Sequence, residues 1–533
     1  MKRDLDALGR QQFDLVVIGG GIHGAATARD AALGGLSVAL LEARDFASGT
    51  SSRSTKLIHG GLRYLEHYEF ALVREARQER RRLLKMAPHL ARPLPFLLPI
   101  YRGDPFSPLK VRLGLAVYDL LGNLGPGDRH RMLAADEAVA LMPALRRGGL
   151  RAAALYHDSG TDDARLTIEN VIDAADHGAV VANYAEVRAV AAQGGRVTAV
   201  EVEDALTGRQ VEVSGRYFVN ATGPWVDRLR ALLPGFDGSR TVRLTKGVHL
   251  VVPPVTGRVA LLAAVPGEDR VFLMWPWHGG AMLGTTDTDY EGDPAAVAPE
   301  PADTEYLLRA ANRVFAEPLR PADVRCPWAG LRALVLAGAD PRKPSAVTRE
   351  YRFHEDRWAA NLITVCGGKL TTARALGEKL ARQAAHRLGT SLRGASSRTT
   401  PFPGGRTGPF EAFVSAAVEE ARSEFRLGPA VAARIVRTYG RRWRTVLEPV
   451  RNRPELAEPL PAGPPGGPPE AGAPLLAAEA AFAIEHEMVL TVEDFLLRRS
   501  GLSWTGSLLR DAVPVIGRML AAQPGSHGVE VTR

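Results

Sequence analysis

The chain has 533 residues, of which 45% are hydrophobic and 24% are charged. These proportions are typical of a soluble globular protein, and the length allows two or three domains. No apolar run reaches the roughly 18–20 residues that cross a bilayer, and the charged segment Met1–Gln12 lacks the apolar centre of a signal peptide, which favours a cytoplasmic protein. The two cysteines, Cys326 and Cys366, exclude a disulfide framework and lack metal-ligand neighbours, so no metal site is predicted.

The positive charge leaves three kinds of partner to consider: nucleic acid, an anionic membrane surface and an anionic substrate. The formal net charge of +8 corresponds to a pI near 9.6 and would attract all three. Aromatic residues make up only 6% of the chain, and no nucleic-acid-binding motif follows from the sequence. We therefore expect no nucleic-acid partner.

The N-terminal segment has the pattern of a dinucleotide-binding unit. The β-branched run Phe13–Ile18 predicts a buried parallel strand, and it leads into Gly19-Gly20-Gly21-Ile22-His23-Gly24, a G-x-G-x-x-G motif. Residues 25–33 are rich in alanine and predict a helix, and residues 36–41 predict a second buried strand. Glu42 follows this strand, about twenty residues after the glycines, where a partner for a ribose hydroxyl is expected.

Each glycine of the motif has a physical role. Gly19 permits a tight turn, Gly21 lets the backbone approach a pyrophosphate, and Gly24 lets the helix pack closely on the strand. The helix N-terminus adds amide donors and a partial positive charge. Glu42 would repel the extra phosphate of NADP, which leaves NAD and FAD, and the hydroxyl-rich run that follows favours a flavin.

The polar run from Ser51 to Glu66 is the predicted centre of the chemistry. It carries hydroxyl and basic side chains, then Gly60-Gly61, then Arg63-Tyr64. Small hydroxylated residues let the backbone pass close to a flat or phosphorylated ligand, and arginine beside tyrosine suits an anionic substrate. Taken alone, this run would also suit an ordinary polar loop.

Residues 68–87 predict a helix with one apolar and one basic side. The basic side consists of Arg74, Arg77, Arg80, Arg81, Arg82 and Lys85. It predicts either a solvated surface or a face toward anionic lipid. Residues 90–124 mix prolines with apolar and basic side chains, and there we predict an irregular cap or an interfacial patch in contact with a membrane.

Two later motifs also bring the backbone close to a ligand. The predicted strand Tyr217–Asn220 ends in Ala221-Thr222-Gly223, whose small residues permit close approach to a cofactor. The predicted strand 362–366 ends in Gly367-Gly368-Lys369 before a helix, which suits an anion or a carbonyl group. The strands predicted between these motifs indicate an antiparallel sheet: residues 244–252, 271–277 and 282–286.

The composition changes after Leu388. Residues 401–405 predict a linker, and residues 408–450 and 479–520 predict helices. Between the helices, residues 459–474 are rich in proline and glycine and predict a flexible insert.

Together these motifs resemble the FAD-dependent (aerobic, respiratory) glycerol-3-phosphate dehydrogenases. The resemblance rests on five segments: residues 19–24, residues 51–66 with their Lys-Leu-Ile-His-Gly-Gly-Leu-Arg-Tyr-Leu-Glu, residues 219–225, residues 284–287 and residues 367–372. It covers most of residues 1–390 and continues more loosely around residues 485–488 and 494–499. The sequence departs from the family pattern at His23, where the family often has asparagine, and in the Pro/Gly insert.

The resemblance implies an α/β fold with a Rossmann-type FAD-binding domain of the glycine/D-amino-acid oxidase type, an antiparallel-sheet cap domain and a helical C-terminal domain. The expected boundaries are residues 1–85, 151–240 and 350–395 for the FAD-binding domain, 86–150 and 241–349 for the cap or substrate domain, and 400–533 for the C-terminal domain. The resemblance also implies peripheral attachment to the inner face of the cell membrane and electron transfer to quinone. A homodimer is left open.

The predicted FAD contacts come from the glycine motif, the acid after the second strand, the hydroxyl-rich run and the two later motifs. They are Gly19, Gly21, Gly24, Glu42, Ala43, Thr50, Ser51, Ser52, Ser54, Lys56, Leu57, His59, Gly60, Gly61, Ala221, Thr222, Gly223, Gly368, Lys369, Leu370, Thr371 and Thr372.

Glycerol 3-phosphate, the substrate that the resemblance implies, combines a dianionic phosphate with a secondary alcohol. The phosphate needs several donors with permanent charge. Arg63, Arg332 and Lys369 have no acidic neighbours in the sequence, and the resemblance directs these motif positions toward the substrate. Tyr64 adds a hydroxyl donor.

The alcohol must lose a proton as hydride leaves for the flavin, and a base with a near-neutral pKa suits this step. His249, three residues after Lys246, is the first candidate, and His59 is the second, although its loop suggests flavin contact. Arg332 in a buried site can stabilise a developing alkoxide. We expect oxidation to dihydroxyacetone phosphate with quinone as acceptor. The alternatives are an oxidase that releases peroxide and a flavin-bearing binding or RNA-modification protein.

Overall fold

The computed structural model describes residues 1–65, 68–122, 129–265, 267–268, 270–336, 351–461, 473–501, 504 and 509–523. Within these ranges the side chains of residues 63, 64, 509 and 510 are outside the description. The helices are α1 Leu5–Arg10, α2 Ile22–Leu33, α3 Phe70–Met86, α4 Pro108–Gly122, α5 Ala135–Leu141, α6 Asp163–Asp176, α7 Val226–Arg230, α8 Pro301–Ala311, α9 Ala373–Arg387, α10 Phe410–Phe425, α11 Pro429–Tyr439, α12 Trp443–Leu447, α13 Ala477–His486 and α14 Val513–Ala521.

The strands are β1 Phe13–Ile18, β2 Val38–Leu41, β3 Leu57–Ile58, β4 Arg92–Tyr101, β5 Arg131–Leu133, β6 Leu150–Gly160, β7 Val180–Ala182, β8 Ala185–Gln193, β9 Arg196–Asp204, β10 Gln210–Asn220, β11 Val242–Val252, β12 Ala260–Ala264, β13 Val271–Trp277, β14 Gly280–Gly284, β15 Thr288–Asp289, β16 Cys326–Val335, β17 Arg352–Glu355 and β18 Leu362–Cys366. The two strands predicted at residues 13–18 and 362–366 have the bounds of β1 and β18.

The first sheet has the order β17-β18-β10-β1-β2-β7, and its neighbours are parallel except β17, which runs antiparallel to β18. β8 and β9 extend β10 as an antiparallel meander. In the centre, Ile18 of β1 is in register with Leu41 of β2 and Asn220 of β10. The residues that follow these three strands, Gly19, Glu42 and Ala221, therefore meet at one edge of the sheet, which is where ligands bind in such folds.

The second sheet is largely antiparallel and has the order β15-β11-β14-β13-β12-β4-β6-β3, with β16 joined to β11 and β5 to β6. One long ladder joins β11 to β16, from Val242 opposite Val335 to Val251 opposite Cys326, and an equally long one joins β4 to β6. Although residues 151–160 are predicted with the dinucleotide-binding unit, they belong to β6 of this second sheet.

At residues 90–124 the structure contradicts the predicted irregular cap, whereas the alternative of an interfacial patch stays a prediction. Instead of an irregular stretch the segment forms β4 and then α4, and only residues 123–124 lie outside the description. The basic side predicted for α3 is also divided, because Arg77 and Arg80 are buried. The Arg80 guanidinium donates to Ser159 Oγ and to the carbonyl of Asp158, both at 2.9 Å.

The C-terminal segment is helical, as predicted, and α10 to α13 share one apolar core that contains Phe425, Ile435 and Phe482. The Pro/Gly insert predicted at residues 459–474 is mostly outside the described residues, since residues 462–472 are not covered. Its two ends lie together, because the Leu460 amide donates to the carbonyl of Leu475 at 2.7 Å.

Candidate active site

Two glycines of the N-terminal motif occupy positions where a larger residue would collide. Gly19 has a φ of +108°, and a Cβ there would lie 2.6 Å from the Ala221 carbonyl oxygen. A Cβ on Gly24 would lie 1.9 Å from the Gly19 carbonyl oxygen. β1, β10 and α2 can therefore approach one another this closely only because both positions are glycine.

Glu42 and Ser51 both reach the turn between β1 and α2. The Gly20 amide donates to Glu42 Oε2 at 2.6 Å, and the Arg44 amide donates to Oε1 at 3.0 Å. Burial raises the pKa of Glu42 above its ordinary value. At the start of α2, where Gly21 offers no side-chain cap, the Ile22 amide donates to Ser51 Oγ at 2.9 Å. The acid and the hydroxyl thus lie beside the helix N-terminus.

Some side chains of the hydroxyl-rich run point into the protein core. Lys56 is buried, and its Nζ donates to Asp163 Oδ1 at 2.5 Å and to the Ser52 carbonyl at 2.8 Å. Ser54 donates to Asp163 Oδ2 through its hydroxyl at 2.7 Å. Asp163 is the first residue of α6 and is fully buried. The side chains of Ser54 and Lys56, predicted as flavin contacts, are therefore held by the buried carboxylate of Asp163.

Several other members of the predicted cofactor set contact or belong to the second sheet. Thr50 Oγ1 donates to the Leu331 carbonyl at 2.6 Å, and the Gly60 amide donates to Asp158 Oδ1 at 3.2 Å. Ser52 Oγ is buried and has no hydrogen-bond partner within the described part of the chain. Ala43 follows Glu42, Leu57 begins β3, and Gly61 has a φ of +74°.

The hydroxyl-rich run also contacts the later glycine motif. The His59 amide donates to Thr371 Oγ1 at 3.2 Å, although 312 residues separate them. Gly367 and Gly368 have φ values of +76° and +98°, and a Cβ on Gly368 would lie 2.4 Å from the His23 ring. Leu370 and Thr372 follow in the turn that leads into α9.

Thr222 and Gly223 complete the edge after β10. The Thr222 hydroxyl donates to Asn220 Oδ1 at 2.7 Å, and Gly223 has a φ of +58°. These backbone turns, the close glycine contacts and the glycine at the start of α2 fit an adenine dinucleotide laid across the edge of the first sheet.

Arg332 and His249 lie on neighbouring strands of the second sheet. Thr245 of β11 is opposite Arg332 of β16, and His249 is opposite Trp328. Arg332 Nη1 donates to Asp287 Oδ1 at 3.1 Å, and Nη2 donates to Thr285 Oγ1 at 3.1 Å. The arginine that is isolated from acids in the sequence is thus paired with an acid in the fold, and its side chain remains 20% exposed.

His249 is buried, and its ring stacks on the Trp328 ring with centroids 5.4 Å apart. Its Nε2 lies 3.0 Å from Thr55 Oγ1, a residue that sequence reasoning did not single out. Burial, reinforced by the charges of Arg332 and Lys56, lowers the pKa of His249 to about 3. The imidazole is therefore neutral at physiological pH and able to accept a proton, but its pKa is far below the near-neutral value expected of a base.

Arg63 and Tyr64 lie in a short 3₁₀ turn, Leu62–Leu65, directly after Gly61, and their side chains are outside the description. Lys369 lies between β18 and α9. Lys246 has no place in the predicted site, since its Nζ lies 2.8 Å from carboxylate oxygens of both Glu300 and Asp303. The site residues that the sequence analysis did not single out are Thr55, Asp163 and Asp287. Asp287 belongs to the Gly-Thr-Thr-Asp segment, residues 284–287, on which the family resemblance partly rests.

The first sheet with its glycine-lined edge, and the second sheet that contacts the hydroxyl-rich run at Thr50 and Thr55, define a dinucleotide-dependent oxidoreductase. A model of the FAD dependent oxidoreductases matches residues 14–383, and a model of the C-terminal domain of alpha-glycerophosphate oxidase matches residues 395–527. The chain belongs to the FAD-dependent oxidoreductases and, within them, to the glycerol-3-phosphate dehydrogenase family. The predicted fold class and the FAD cofactor are thereby confirmed.

Individual relatives cover nearly the whole chain. Glycerol-3-phosphate dehydrogenase 2 of Mycobacterium tuberculosis is 39% identical over 507 residues, covering 93% of this chain and 82% of that protein. Aerobic glycerol-3-phosphate dehydrogenase of Staphylococcus haemolyticus is 35% identical over 508 residues, covering 93% and 87%. The solved structure of the glycerol-3-phosphate dehydrogenase from Bacillus halodurans, complexed with FAD, has a TM-score of 0.77 at 28% identity, covering 98% of this chain and 93% of that one.

Proposed function

We propose that this protein oxidises glycerol 3-phosphate at its secondary alcohol to dihydroxyacetone phosphate. The observation that carries the proposal is the cluster of Thr55, His249 and Arg332, where the hydroxyl-rich run meets β11 and β16. The names of the curated relatives supply the substrate. When bound, FAD supplies the acceptor for the hydride that leaves C2.

The substrate phosphate is proposed to bind the permanent charges of Arg63, Arg332 and Lys369, with Tyr64 as a further donor. Arg332 is already oriented, because Thr285 and Asp287 hold its guanidinium from one side. A fixed guanidinium costs little ordering entropy on binding, so the phosphate can position C2 for hydride transfer. Asp287 also balances part of the positive charge until a dianion arrives.

His249 is the proposed acceptor of the C2 hydroxyl proton. Its pKa of about 3 belongs to the protein without a bound dianion, and two of its causes are the cations Arg332 and Lys56. A phosphate dianion beside Arg332 would offset that charge and raise the pKa of His249 toward a useful range. The alternatives are His59 as the base and Arg332 as the group that stabilises the alkoxide.

A direct test uses the purified holoprotein under anaerobic conditions. Addition of glycerol 3-phosphate is expected to bleach the visible flavin band, and Arg332→Ala is expected to need much more substrate for the same bleaching. Arg325→Ala, which changes an exposed arginine directly before the first residue of β16, is the matched control. Absence of bleaching in the unaltered protein would remove the proposal, and loss of FAD from Arg332→Ala would show that this residue is misplaced.

The electron acceptor is proposed to be a membrane quinone, reached by peripheral attachment to the inner face of the cell membrane. The supporting surface is one side of α4, where Leu109, Leu113 and Leu120 are 65%, 60% and 79% exposed. Lys110 and Arg112 flank these leucines, and exposed apolar residues bordered by cations suit an anionic lipid surface. None of the described helices combines the length and the apolar character that a bilayer crossing needs.

Vesicle binding tests this surface. Leu113→Glu and Leu120→Glu are expected to reduce sedimentation with phosphatidylglycerol-containing vesicles and turnover with a lipid-embedded quinone, while leaving flavin bleaching intact. Leu141→Glu, at an exposed leucine of α5, is the matched control. Rapid peroxide formation with oxygen, without quinone, would favour the oxidase alternative. The homodimer stays a prediction, and a measurement of the molecular mass in solution tests it.

A further inference from the structure

A buried ion network joins the loop after β2 to the far end of the chain. Asp45 is fully buried and accepts hydrogen bonds from Arg498 Nε at 2.5 Å and from Arg499 Nη1 and Nη2 at 2.9 and 3.0 Å. The donors are 453 and 454 residues away in the sequence. Both arginines belong to a single π-helical turn, Asp494–Arg499, and such turns often occur at functional positions.

The loop that Asp45 anchors is the one that carries Glu42 to the glycine turn. Phe46, the next residue, packs so closely that a Cβ on Gly20 would lie 2.5 Å from its ring. The Ala47 amide donates to the Gly20 carbonyl at 3.1 Å. The anchor therefore acts on a segment that contacts Gly20 through its backbone, through Phe46 and through the Glu42 carboxylate.

A second connection runs through the end of β7. The Tyr184 amide donates to the Arg44 carbonyl, and the Ala185 amide donates to the Glu42 carbonyl, both at 2.8 Å. The Tyr184 hydroxyl in turn donates to Asp494 Oδ1 at 2.7 Å. The loop from Glu42 to Ala47 is thus connected to the π-helical turn twice, directly through Asp45 and indirectly through Tyr184.

The energetics of this network favour a role in positioning the loop over a role in stabilising the fold. Burial alone would raise the pKa of Asp45, but Arg499 and Arg498 hold it below its ordinary value, so the carboxylate stays charged. Charged pairs in such dry surroundings give little more stability than apolar side chains of the same size. What they add is geometry, because two forked donors fix one carboxylate in place.

We propose that Arg498 and Arg499 of the C-terminal segment hold the loop from Glu42 to Ala47 in place beside the FAD ribose, with Asp45 as the positioning residue. The helical C-terminal unit would then serve to retain the cofactor. This inference rests on the proposed placement of Glu42 at the ribose. It predicts that weakening the network speeds FAD release without changing turnover when excess FAD is supplied.

The test follows FAD release from the full-length holoprotein. After dilution, the rise in free-flavin fluorescence gives the release rate, and Arg499→Gln and Asp45→Asn are each expected to raise it by about tenfold or more. Arg499→Lys, which keeps the charge, is expected to recover part of the loss and serves if the glutamine variant fails to fold. With excess FAD, kcat is expected to stay within about twofold of the unaltered protein.

Two controls separate positioning from a general loosening of the protein. Arg434→Gln breaks a comparable arginine–carboxylate pair within the C-terminal unit, and Arg406→Gln breaks a contact to Asp173 on α6. Neither residue touches the Glu42 loop in the described contacts, and neither variant is expected to change FAD release by more than about twofold. Equal release from all these variants, or unchanged release from Arg499→Gln and Asp45→Asn, would overturn the inference.

A further variant distinguishes this inference from the proposed site. Glu42→Gln is expected to speed FAD release even though the C-terminal network is untouched. If Glu42→Gln has no effect, the ribose placement is wrong and the inference falls with it. If Glu42→Gln speeds release and Arg499→Gln does not, only the inference is overturned.

Discussion

Replacing Lys56 with methionine tests whether its ammonium group is structural or contacts the cofactor. In the structure, Lys56 Nζ lies 2.5 Å from Asp163 Oδ1, and the two side chains are 2% and 0% exposed. Methionine keeps the length of the side chain and removes the charge. Asp163 then loses the cation that pairs with it and keeps its neutral donors, among them the Ser54 hydroxyl and the Ala164 amide.

The expected cost follows from this burial. Removing one partner of a buried, hydrogen-bonded ion pair lowers the free energy of unfolding by about 3–5 kcal/mol. Burial already raises the pKa of Asp163, and loss of Lys56 would raise it further, so the carboxyl takes up a proton more readily. A carboxyl with a raised pKa in the folded state destabilises the protein increasingly as pH rises toward that pKa, so the defect is expected to shrink at low pH.

The assay is a double-mutant cycle read by thermal unfolding with excess FAD. Lys56→Met and Asp163→Asn are each expected to lower the melting midpoint, and the double variant to recover a large part of the loss because no charge is left unpaired. If Lys56→Met keeps the midpoint of the unaltered protein but releases FAD, Lys56 is a cofactor contact, as the sequence predicted, and the ion-pair reasoning is wrong.

Four further outcomes are expected. Thr55→Val removes the hydroxyl beside His249 Nε2 and is expected to lower kcat by about 10- to 100-fold, which raises the activation free energy by about 1–3 kcal/mol. Thr55→Ser keeps the hydroxyl and is expected to keep the rate. Gly24→Ala places a Cβ 1.9 Å from the Gly19 carbonyl oxygen, so the purified protein is expected to contain little FAD by its absorbance ratio. Arg332→Lys loses the forked donor and is expected to raise KM while FAD stays bound. Burial holds the pKa of His249 at about 3, below its ordinary 6.5, so unfolding takes up a proton at pH values between these two. The free energy of unfolding is therefore expected to fall by about 1.4 kcal/mol for each pH unit below 6.5. His249→Gln is expected to show a flatter pH profile.

The N-terminal unit was predictable because its signals are local. The β-branched run Phe13–Ile18, the glycines and Glu42 lie within one βαβ stretch, and each of them acts on a neighbour in that stretch. The failure at β4 has a physical cause, since Pro93, Pro95 and Pro99 argue against a strand. All three lie at positions of the same parity, so the missing amides fall along one edge of the strand, and β4 still pairs with β6.

The partners of the site residues were not predictable because they are distant in the chain. Arg332 has no acid beside it in the sequence, yet Asp287 reaches it across 45 residues. Lys56 meets Asp163 across 107 residues, and Thr55 meets His249 across 194. A motif indicates which residue types gather around a ligand, but it does not indicate which of their cations form ion pairs with carboxylates that are distant in the sequence.

The alternation along residues 54–56 links these two kinds of contact. Ser54 and Lys56 both direct their side chains to Asp163, while Thr55 between them directs its hydroxyl to His249. The backbone turns here, since Lys56 has a φ of +55°, and anchoring Ser54 and Lys56 on one carboxylate limits where Thr55 between them can lie. The buried ion pair between Lys56 and Asp163 therefore helps to position Thr55, and through Thr55 it helps to orient the His249 ring.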